Sequence, residues 1–349
     1  MAEPDTVRAA LTAIAPILAS PLPAQDQPAA PEITLSQVAP AVLRQDRRGA
    51  DAVIEAAAID AVIVASPPSF DDSTPGCLDD LDRTCLSPIR RIELPGRAFA
   101  AGLKDKGRGR LFVGNTLDGS PGVVDAGLWT SGRVLTPAAG RACCSGGGTS
   151  EIHVPDMATG EQTGSISTGG TTGAGSEVPT HFFINLAMDT DGKRLFSVDA
   201  NSGALYVFDT ESGAVLRNVP VGLGALDVAY APASNTVFLT CRGASRKDQT
   251  GTGGLVVIGG DDDAPRVHIP LPAHPNSLTL GGGGNTLFLT VKAPHDQSHP
   301  PFRKDGLDSV LRVGLTRLNK VLAALSAEQQ ESAGRQDQPP AERKNGMEG

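Results

Sequence analysis

The stretch KRLFSVDANSGALYVFDTESGAVL, residues 193–216, decides the fold. It contains two short apolar runs, Leu195–Val198 and Ala204–Phe208, and a third run that opens at Ala214. Asn-Ser-Gly and Glu-Ser-Gly lie between these runs, and residues of these types favour tight turns. Short apolar runs joined by such turns predict an antiparallel meander.

The first strand of this unit recurs along the chain. Its copies are VIVAS from Val62, LFVGN from Leu111, LFSVD from Leu195, VFLTC from Val237 and LFLTV from Leu287. The steps are 49, 84, 42 and 50 residues, and because 84 is twice 42, a degenerate copy should begin near residue 153. A period of ~40–50 residues with four short strands per unit predicts an all-β fold, a β-propeller of four-stranded antiparallel blades. Residues 90–315 lack the apolar spacing of helical repeats, so the repeated unit is not helical. A β-sandwich with coincidental spacing is the alternative.

A second strand is readable before each of four copies. These strands are RAFAAGLKD (97–105), HFFINLAMD (181–189), GALDVAYAP (224–232) and HPNSLTLGG (274–282). In a propeller blade such a strand is the innermost one and lines the central channel, and the LF strand is the second. Residues 136–180 carry the weakest pattern, so a blade there should be thin.

Composition agrees with a fold that is rich in turns. The chain has 41 Gly and 27 Pro among 349 residues, and repeated tight turns account for much of this content. The net charge of −9 is spread along the chain without a basic stripe. A nucleic-acid-binding protein normally shows such a stripe, so this function class is disfavoured.

The chain divides into four parts. Residues 1–25 contain an apolar run of about 11 residues from Ala9 to Ala19, which is too short to span a bilayer but suits an export signal. A short amphipathic helix or a disordered tail is the alternative there, because Arg8 is the only positive charge. Residues 26–50 are predicted to be a linker, and residues 51–315 the propeller.

The last part, residues 316–349, changes in character. Its residues Leu318, Val321, Leu322 and Leu325 follow the i, i+3, i+4, i+7 spacing of an amphipathic helix. The polar residues from Glu331 onward predict a disordered tail. We expect deletion of residues 316–349 to cost little stability.

Several segments resemble the YncE-like family of bacterial YVTN β-propellers. They are HFFIN (181–185), AHPNSLTL (273–280), LFLTVK (287–292), DSVLRVGL (308–315) and LFVGNT (111–116) followed by VVD (123–125). The resemblance implies an exported, periplasmic protein with seven blades, of which six copies are readable here. It also implies that the DSVLRVGL strand completes a blade begun by N-terminal residues. Binding of single-stranded DNA has been proposed in that family.

The best candidate site is the channel mouth, where the inner strands begin. His181 and His274 open two of these strands, and Asn185 and Asn276 lie just inside them. If equivalent positions of successive blades converge, two imidazoles and two carboxamides could bind a polar ligand. The alternative is that these residues serve turns and backbone groups.

A second candidate lies in the loop PHDQSHPPFRKDG (294–306). His295, Asp296 and His299 are donors suitable for zinc or another transition metal, although a structural site needs about four ligands. Lys292, Arg303 and Lys304 form a modest positive patch near the same loop that could contact phosphate.

Together these features predict a monomeric, non-catalytic propeller of the bacterial cell envelope that binds a protein or a small polar ligand at the channel mouth. No cofactor and no transmembrane span are expected. One alternative is a propeller enzyme of the lactonase or quinoprotein type. Another is a single-stranded DNA-binding protein, which needs aromatic platforms beside basic residues, and Trp129 is the only tryptophan.

Overall fold

In the computed structural model of the protein, both turns within residues 193–216 are built around an aspartate. The backbone N–H of Gly203 donates to the carbonyl oxygen of Asp199, and that of Gly213 donates to the carbonyl oxygen of Asp209, both at 2.9 Å. Gly203 has φ 66° and Gly213 has φ 71°, a left-handed conformation that glycine adopts without strain. A Cβ on Gly203 would lie 2.6 Å from the carbonyl oxygen of Gly222, so the turn needs glycine there.

The structure describes eighteen separate ranges of the chain. These are 30–38, 41–47, 49–56, 60–66, 76–94, 104–105, 110–114, 121–125, 130–132, 144–146, 150–155, 162–170, 180–244, 253–271, 274–281, 283–294, 297–300 and 302–336. The predicted export signal, residues 1–25, lies outside them.

The described strands form six antiparallel sheets, which are the blades of a propeller. Blade I contains β2 (Ala52–Ala56), β3 (Ala61–Ser66), β4 (Cys77–Asp82) and β5 (Pro88–Glu93). Blade II contains β6 (Lys104–Asp105), β7 (Arg110–Gly114), β8 (Pro121–Asp125) and β9 (Thr130–Gly132). Blade III has three strands, β10 (Cys144–Gly146), β11 (Glu151–Pro155) and β12 (Gln162–Ser167).

The other three blades have four strands each. Blade IV contains β13 (Phe183–Met188), β14 (Arg194–Asp199), β15 (Ala204–Asp209) and β16 (Val215–Pro220). Blade V contains β17 (Ala225–Ala231), β18 (Thr236–Cys241), β19 (Gly254–Gly259) and β20 (Pro265–Pro270), with a short 3₁₀ turn at Pro232–Ser234. Blade VI contains β21 (His274–Leu280), β22 (Thr286–Lys292) and β23 (Asp308–Gly314), and its fourth strand is β1 (Ala41–Arg47). The two helices are α1 (Leu35–Val38) and α2 (Leu315–Gln336).

The predicted strand order within a blade is confirmed. The LF strands are second in their sheets, and the strands before them are first. The first strands of blades III to VI and of blade I contact one another in succession, so they are the innermost strands. The degenerate copy expected near residue 153 is β11 of the thin blade III. A seventh sheet, which the resemblance implies, is not found among the described residues.

Alternation along the second strand explains the LF pattern. Phe238 packs in the core between blades V and VI, whereas Val237 and Leu239 pack in the core between blades IV and V. Both faces of the strand are therefore buried, and a strand of this kind has an almost continuous apolar sequence. Phe196 and Phe288 occupy the corresponding position in blades IV and VI and are 0% and 1% exposed.

The segment 26–50, predicted as a linker, contains elements that bind the propeller. Strand β1 pairs with β23 over Ala41–Val313 to Arg47–Asp308 and adds the fourth strand to blade VI. Glu32 forms a parallel bridge to His268 of β20 in blade V. The sequence AVLRQDR mixes apolar and charged residues, and it forms a strand because β23 offers a free edge.

Helix α2 also differs from the sequence-based expectation. It runs for 22 residues from Leu315 to Gln336, so Glu331–Gln336, predicted as disordered, is helical. Leu315 and Leu318 are 0% exposed and join the core between blades V and VI. The helix therefore packs on the propeller, contrary to the expectation that it contributes little. Neither helix in the described part of the chain has the length and apolar character needed to cross a bilayer.

Candidate functional site: the channel and its mouth

The innermost strands of blades IV, V and VI share a bulge near their starts. The pairing register shifts between Ile184 and Leu186 in β13, between Ala225 and Asp227 in β17, and between Pro275 and Leu278 in β21. Bulges re-aim side chains out of the regular alternation. Asn185, the bulged residue of β13, has a left-handed φ of 52°.

The residues at these bulges hydrogen bond to the next blade. At least one such bond crosses each junction from blade IV to V, from V to VI, and from VI to I. They run from Asn185 Nδ2 to Leu226 O (3.0 Å), from Leu278 N to Asp227 Oδ2 (2.8 Å) and from Asn276 Nδ2 to Asp51 O (2.8 Å).

Four side chains form a polar cluster where the inner strands begin, which we call the mouth network: Asp51, Arg242, Asn276 and Lys292. Lys292 Nζ makes an ion pair with Asp51 Oδ1, and Arg242 Nη2 donates to Asn276 Oδ1. Burial lowers the pKa of the Arg242 guanidinium, and the negative charges of Asp51 and Asp308 oppose that effect. The network therefore joins blades V, VI and I, and its two cations lie near two carboxylates, Asp51 within the network and Asp308 beside it.

Asp227 lies behind the mouth network and is 6% exposed. Its Oδ2 accepts hydrogen bonds from the Ser277 hydroxyl at 2.7 Å and from the Leu278 backbone N–H at 2.8 Å. Its Oδ1 accepts one from the Val228 backbone N–H at 2.8 Å. Burial raises the pKa of this carboxyl to about 6, because the charged form loses its hydration.

The channel between the inner strands contains a cavity of about 350 Å³. Four inner strands line it, with Val53 and Ile54 from β2, Asn185–Met188 from β13, Asp227–Tyr230 from β17 and Leu278–Leu280 from β21. Consecutive residues line the cavity because each inner strand is the edge of its sheet and turns that edge toward the channel. A strand edge presents unpaired backbone N–H and C=O groups, so the cavity offers main-chain donors and acceptors beside its side chains.

Asn185 is the one predicted mouth residue that lines this cavity. His181 is held elsewhere: its Nδ1 lies 2.7 Å from Oδ2 of Asp199, a carboxylate that is 0% exposed. The imidazole also stacks on Phe183, with ring centroids 5.2 Å apart, and meets the Tyr206 ring edge-on. Burial acts to raise the pKa of Asp199, but hydrogen bonds from His181 and other donors outweigh it and lower that pKa.

His274 and Asn276 belong to the other side of the mouth. His274 Nδ1 lies 3.3 Å from the carbonyl oxygen of Arg242, and its ring centroid is 4.6 Å from that of His299. Asn276 is part of the mouth network. The structure thus places the two predicted histidines in separate sets of contacts, one in blade IV and one at the V–VI junction.

The predicted metal and phosphate residues are only partly described. His295 and Asp296 lie outside the described residues, and His299 is buried against His274. Within the described ranges, no three His, Cys, Asp or Glu side chains are grouped so as to hold a metal ion. Lys292 is engaged with Asp51, whereas Arg303 and Lys304 are exposed.

Sequence reasoning missed Asp51, Arg242 and Asp227. A signal for Arg242 was present, because VFLTCR (237–242) and LFLTVK (287–292) are aligned copies that both end in a cation. Aligned positions of successive blades lie around one end of the channel, which brings Arg242 and Lys292 to the mouth. Asp227 also had a signal, because it occupies the same position before its LF strand as Asn185 does, whereas Asp51 carries no such repeated signal.

Comparison with known proteins agrees with this architecture. No protein-family model matches the chain. YncE of Salmonella typhi is 32% identical over 139 residues, which are 39% of this chain and 35% of that protein. YncE of Escherichia coli K12 is 31% identical over 135 residues, again 39% of this chain and 35% of that protein. The matched region thus spans about a third of the length of these relatives.

A solved structure shows the same fold at greater distance. Hydrazine synthase of Kuenenia stuttgartiensis has a TM-score of 0.53, covers 84% of this chain and 83% of that one, and is 16% identical. At this identity the likeness concerns the fold alone. The predicted resemblance is confirmed: this chain is a β-propeller protein that is similar to the YncE proteins over 39% of its length.

Proposed function

We propose that this protein is a non-catalytic propeller of the bacterial cell envelope that binds a small polar ligand or a protein partner through the mouth of its channel. The observation that carries the proposal is the cavity of about 350 Å³, bounded by four inner strands and lined by Asn185 and Asp227. Small-molecule sites are typically concavities of about 300–1,000 Å³ with a few placed polar groups.

The residues predicted from the sequence have different parts in this proposal. Asn185 lines the cavity. In this proposal, His181, His274 and Asn276 form the entrance, and their hydrogen bonds to neighbouring groups hold its shape. A ligand would pass them and bind against the strand edges behind them.

Native mass spectrometry of the protein from the soluble envelope fraction tests the binding role. We expect a retained small molecule on the wild type and its loss from Thr279→Trp, because Thr279 lines the cavity. Thr316→Trp is the matched control, since Thr316 is exposed on α2 away from the cavity. Retention by both variants would place the bound molecule elsewhere. A ligand-free wild type that also captures no partner through its mouth would refute the proposal.

The location in the envelope rests on the apolar run Ala9–Ala19 and on the likeness to the YncE proteins. Cell fractionation tests it directly. The full chain should reach the soluble envelope fraction, and a variant without residues 1–25 should stay in the cytoplasm. Cytoplasmic retention of the full chain would overturn the proposed location without affecting the binding role.

A further inference from the structure

Asp227 is a buried carboxylate whose described partners are all neutral. They are the Ser277 hydroxyl and the backbone N–H groups of Val228 and Leu278. Among the described residues, no cationic side chain hydrogen bonds to it, and the charged group that acts on it is another carboxylate, Asp51. Buried charges in proteins are normally paired with an opposite charge or bound to a metal.

The described residues of the cavity wall do not supply the missing positive charge. They include no Lys, Arg or His, and Asp227 is the only carboxylate among them. With a pKa of about 6, Asp227 is ionised at neutral pH. The cavity is therefore a small space with one negative charge in its wall.

The rest of the wall suits an organic body better than a bare metal ion. Leu186, Met188, Leu278 and Leu280 contribute apolar surface. The unpaired carbonyl groups of the strand edges could accept hydrogen bonds from N–H donors. A metal ion would need several hard or imidazole ligands, and the described residues include no group of three such side chains.

We propose that the channel cavity binds a small organic ammonium compound, whose charged nitrogen lies against Asp227 and whose apolar part contacts Leu186, Met188 and Leu280. This inference rests on the proposed ligand-binding function and names the chemistry of its ligand. The ligand provides the positive charge that the described residues do not supply to Asp227. In the mouth network, Lys292 is paired with Asp51 and Arg242 donates to Asn276.

The test compares n-butylammonium with 1-butanol, which has the same carbon chain and no charge. Binding to the full-length protein is measured by isothermal titration calorimetry and saturation-transfer NMR at pH 7.5. We expect n-butylammonium to bind at least tenfold more tightly than 1-butanol. Asp227→Asn should reduce the affinity for n-butylammonium to that for 1-butanol. Asp80→Asn is the matched control, a carboxylate that is 5% exposed on β4 and does not line the cavity, and it should bind like the wild type.

Each other outcome overturns the inference in a distinguishable way. Equal binding of the two probes means that Asp227 attracts no cation, while the cavity still binds ligands as proposed. Asp227-dependent binding of calcium chloride or potassium chloride without binding of n-butylammonium means a metal ion instead. Binding of neither probe by a protein that retains another molecule refutes the ammonium and keeps the function. The comparison of probes uses the wild type alone, so it stays decisive if Asp227→Asn does not fold.

Discussion

The mouth network and the cavity behind it bury charge in opposite ways. At the mouth, the cations Arg242 and Lys292 lie beside the carboxylates Asp51 and Asp308, so the charges compensate one another. In the cavity, Asp227 has neutral donors and a raised pKa. Compensated charge is typical of a structural junction, whereas uncompensated charge beside an empty space is typical of a binding site.

Arg242→Met removes one cation from the mouth and tests whether the compensated charges of the mouth network stabilise the fold. Asp51 and Asp308 then lose a compensating charge in a buried setting. Because Asn276 Oδ1 also loses the hydrogen bond from the Arg242 guanidinium, we expect a loss of about 2–3 kcal/mol in the free energy of unfolding. Denaturation by urea measures it.

Arg303→Met is the control for that variant. Arg303 is exposed, and its guanidinium donates to the carbonyl oxygen of its neighbour Phe302. Its replacement should change the free energy of unfolding by less than about 0.5 kcal/mol. Equal effects of the two variants would mean that the mouth network contributes nothing special to stability.

Asp227→Asn tests the uncompensated charge of the cavity through the pH dependence of the free energy of unfolding. The pKa of Asp227 is about 6 in the folded protein and near 3.8 when unfolded, so the folded state binds the proton more tightly. The stabilisation is therefore complete below pH ~4 and is lost as pH rises through 6. Relative to Asp227→Asn, the wild type should lose about 2 kcal/mol between pH 4 and pH 7, measured by urea denaturation at each pH.

Asp209 checks the direction of this pH dependence, because its pKa is lowered and not raised. Hydrogen bonds from the Ser212 hydroxyl and backbone lower the pKa of Asp209. The stabilisation from Asp209 is present above its unfolded pKa and is lost as pH falls, so Asp209→Asn should change the pH profile in the opposite direction. A difference between the wild type and Asp227→Asn that is flat from pH 4 to pH 7 would contradict the raised pKa.

The fold was more accessible from the sequence than the site, for a physical reason. The LF strands are buried on both faces, so VFLTC and LFLTV carry the burial pattern in their own residues. Strand β1 carries no such pattern, because AVLRQDR becomes a strand only through its pairing with β23. A non-local partner determines that element, and a local pattern cannot reveal it.

The same distinction applies to the site. Asn185 was predicted because it lies just inside an inner strand that the repeat identifies, and it does line the cavity. Asp227 and Arg242 belong to the same hairpin of blade V, and Asp51 joins them only through the packing of the blades. Asp51 is more than 170 residues from both in sequence, so neither motif nor spacing joins it to them.

The double variant His181→Ala, His274→Ala tests whether the two histidines contribute to stability alone or also to ligand binding. His181 hydrogen bonds to the buried Asp199, and His274 contacts Arg242 and His299. Loss of these contacts should lower the free energy of unfolding by about 1–3 kcal/mol, measured by urea denaturation. Because neither residue lines the cavity, the affinity for n-butylammonium should stay within twofold of the wild type. Abolished binding in a normally stable double variant would instead make the histidines ligand-binding groups.

Substitutions of Asn185 have the smallest expected effect. Asn185 contributes both to a junction and to the cavity, because its side chain hydrogen bonds from blade IV to blade V and it also lines the cavity. Asn185→Gly keeps the left-handed backbone and removes the hydrogen bond to Leu226, which should cost about 1 kcal/mol. Asn185→Ala should cost about 1 kcal/mol more, because alanine is strained at φ 52°. Asp60, with φ 55° in an exposed turn, provides the matched pair, and its Ala and Gly variants should differ by the same amount. Equal stability of Asn185→Gly and the wild type would show that the bond between the blades contributes nothing, and Asn185 would then be a cavity residue alone.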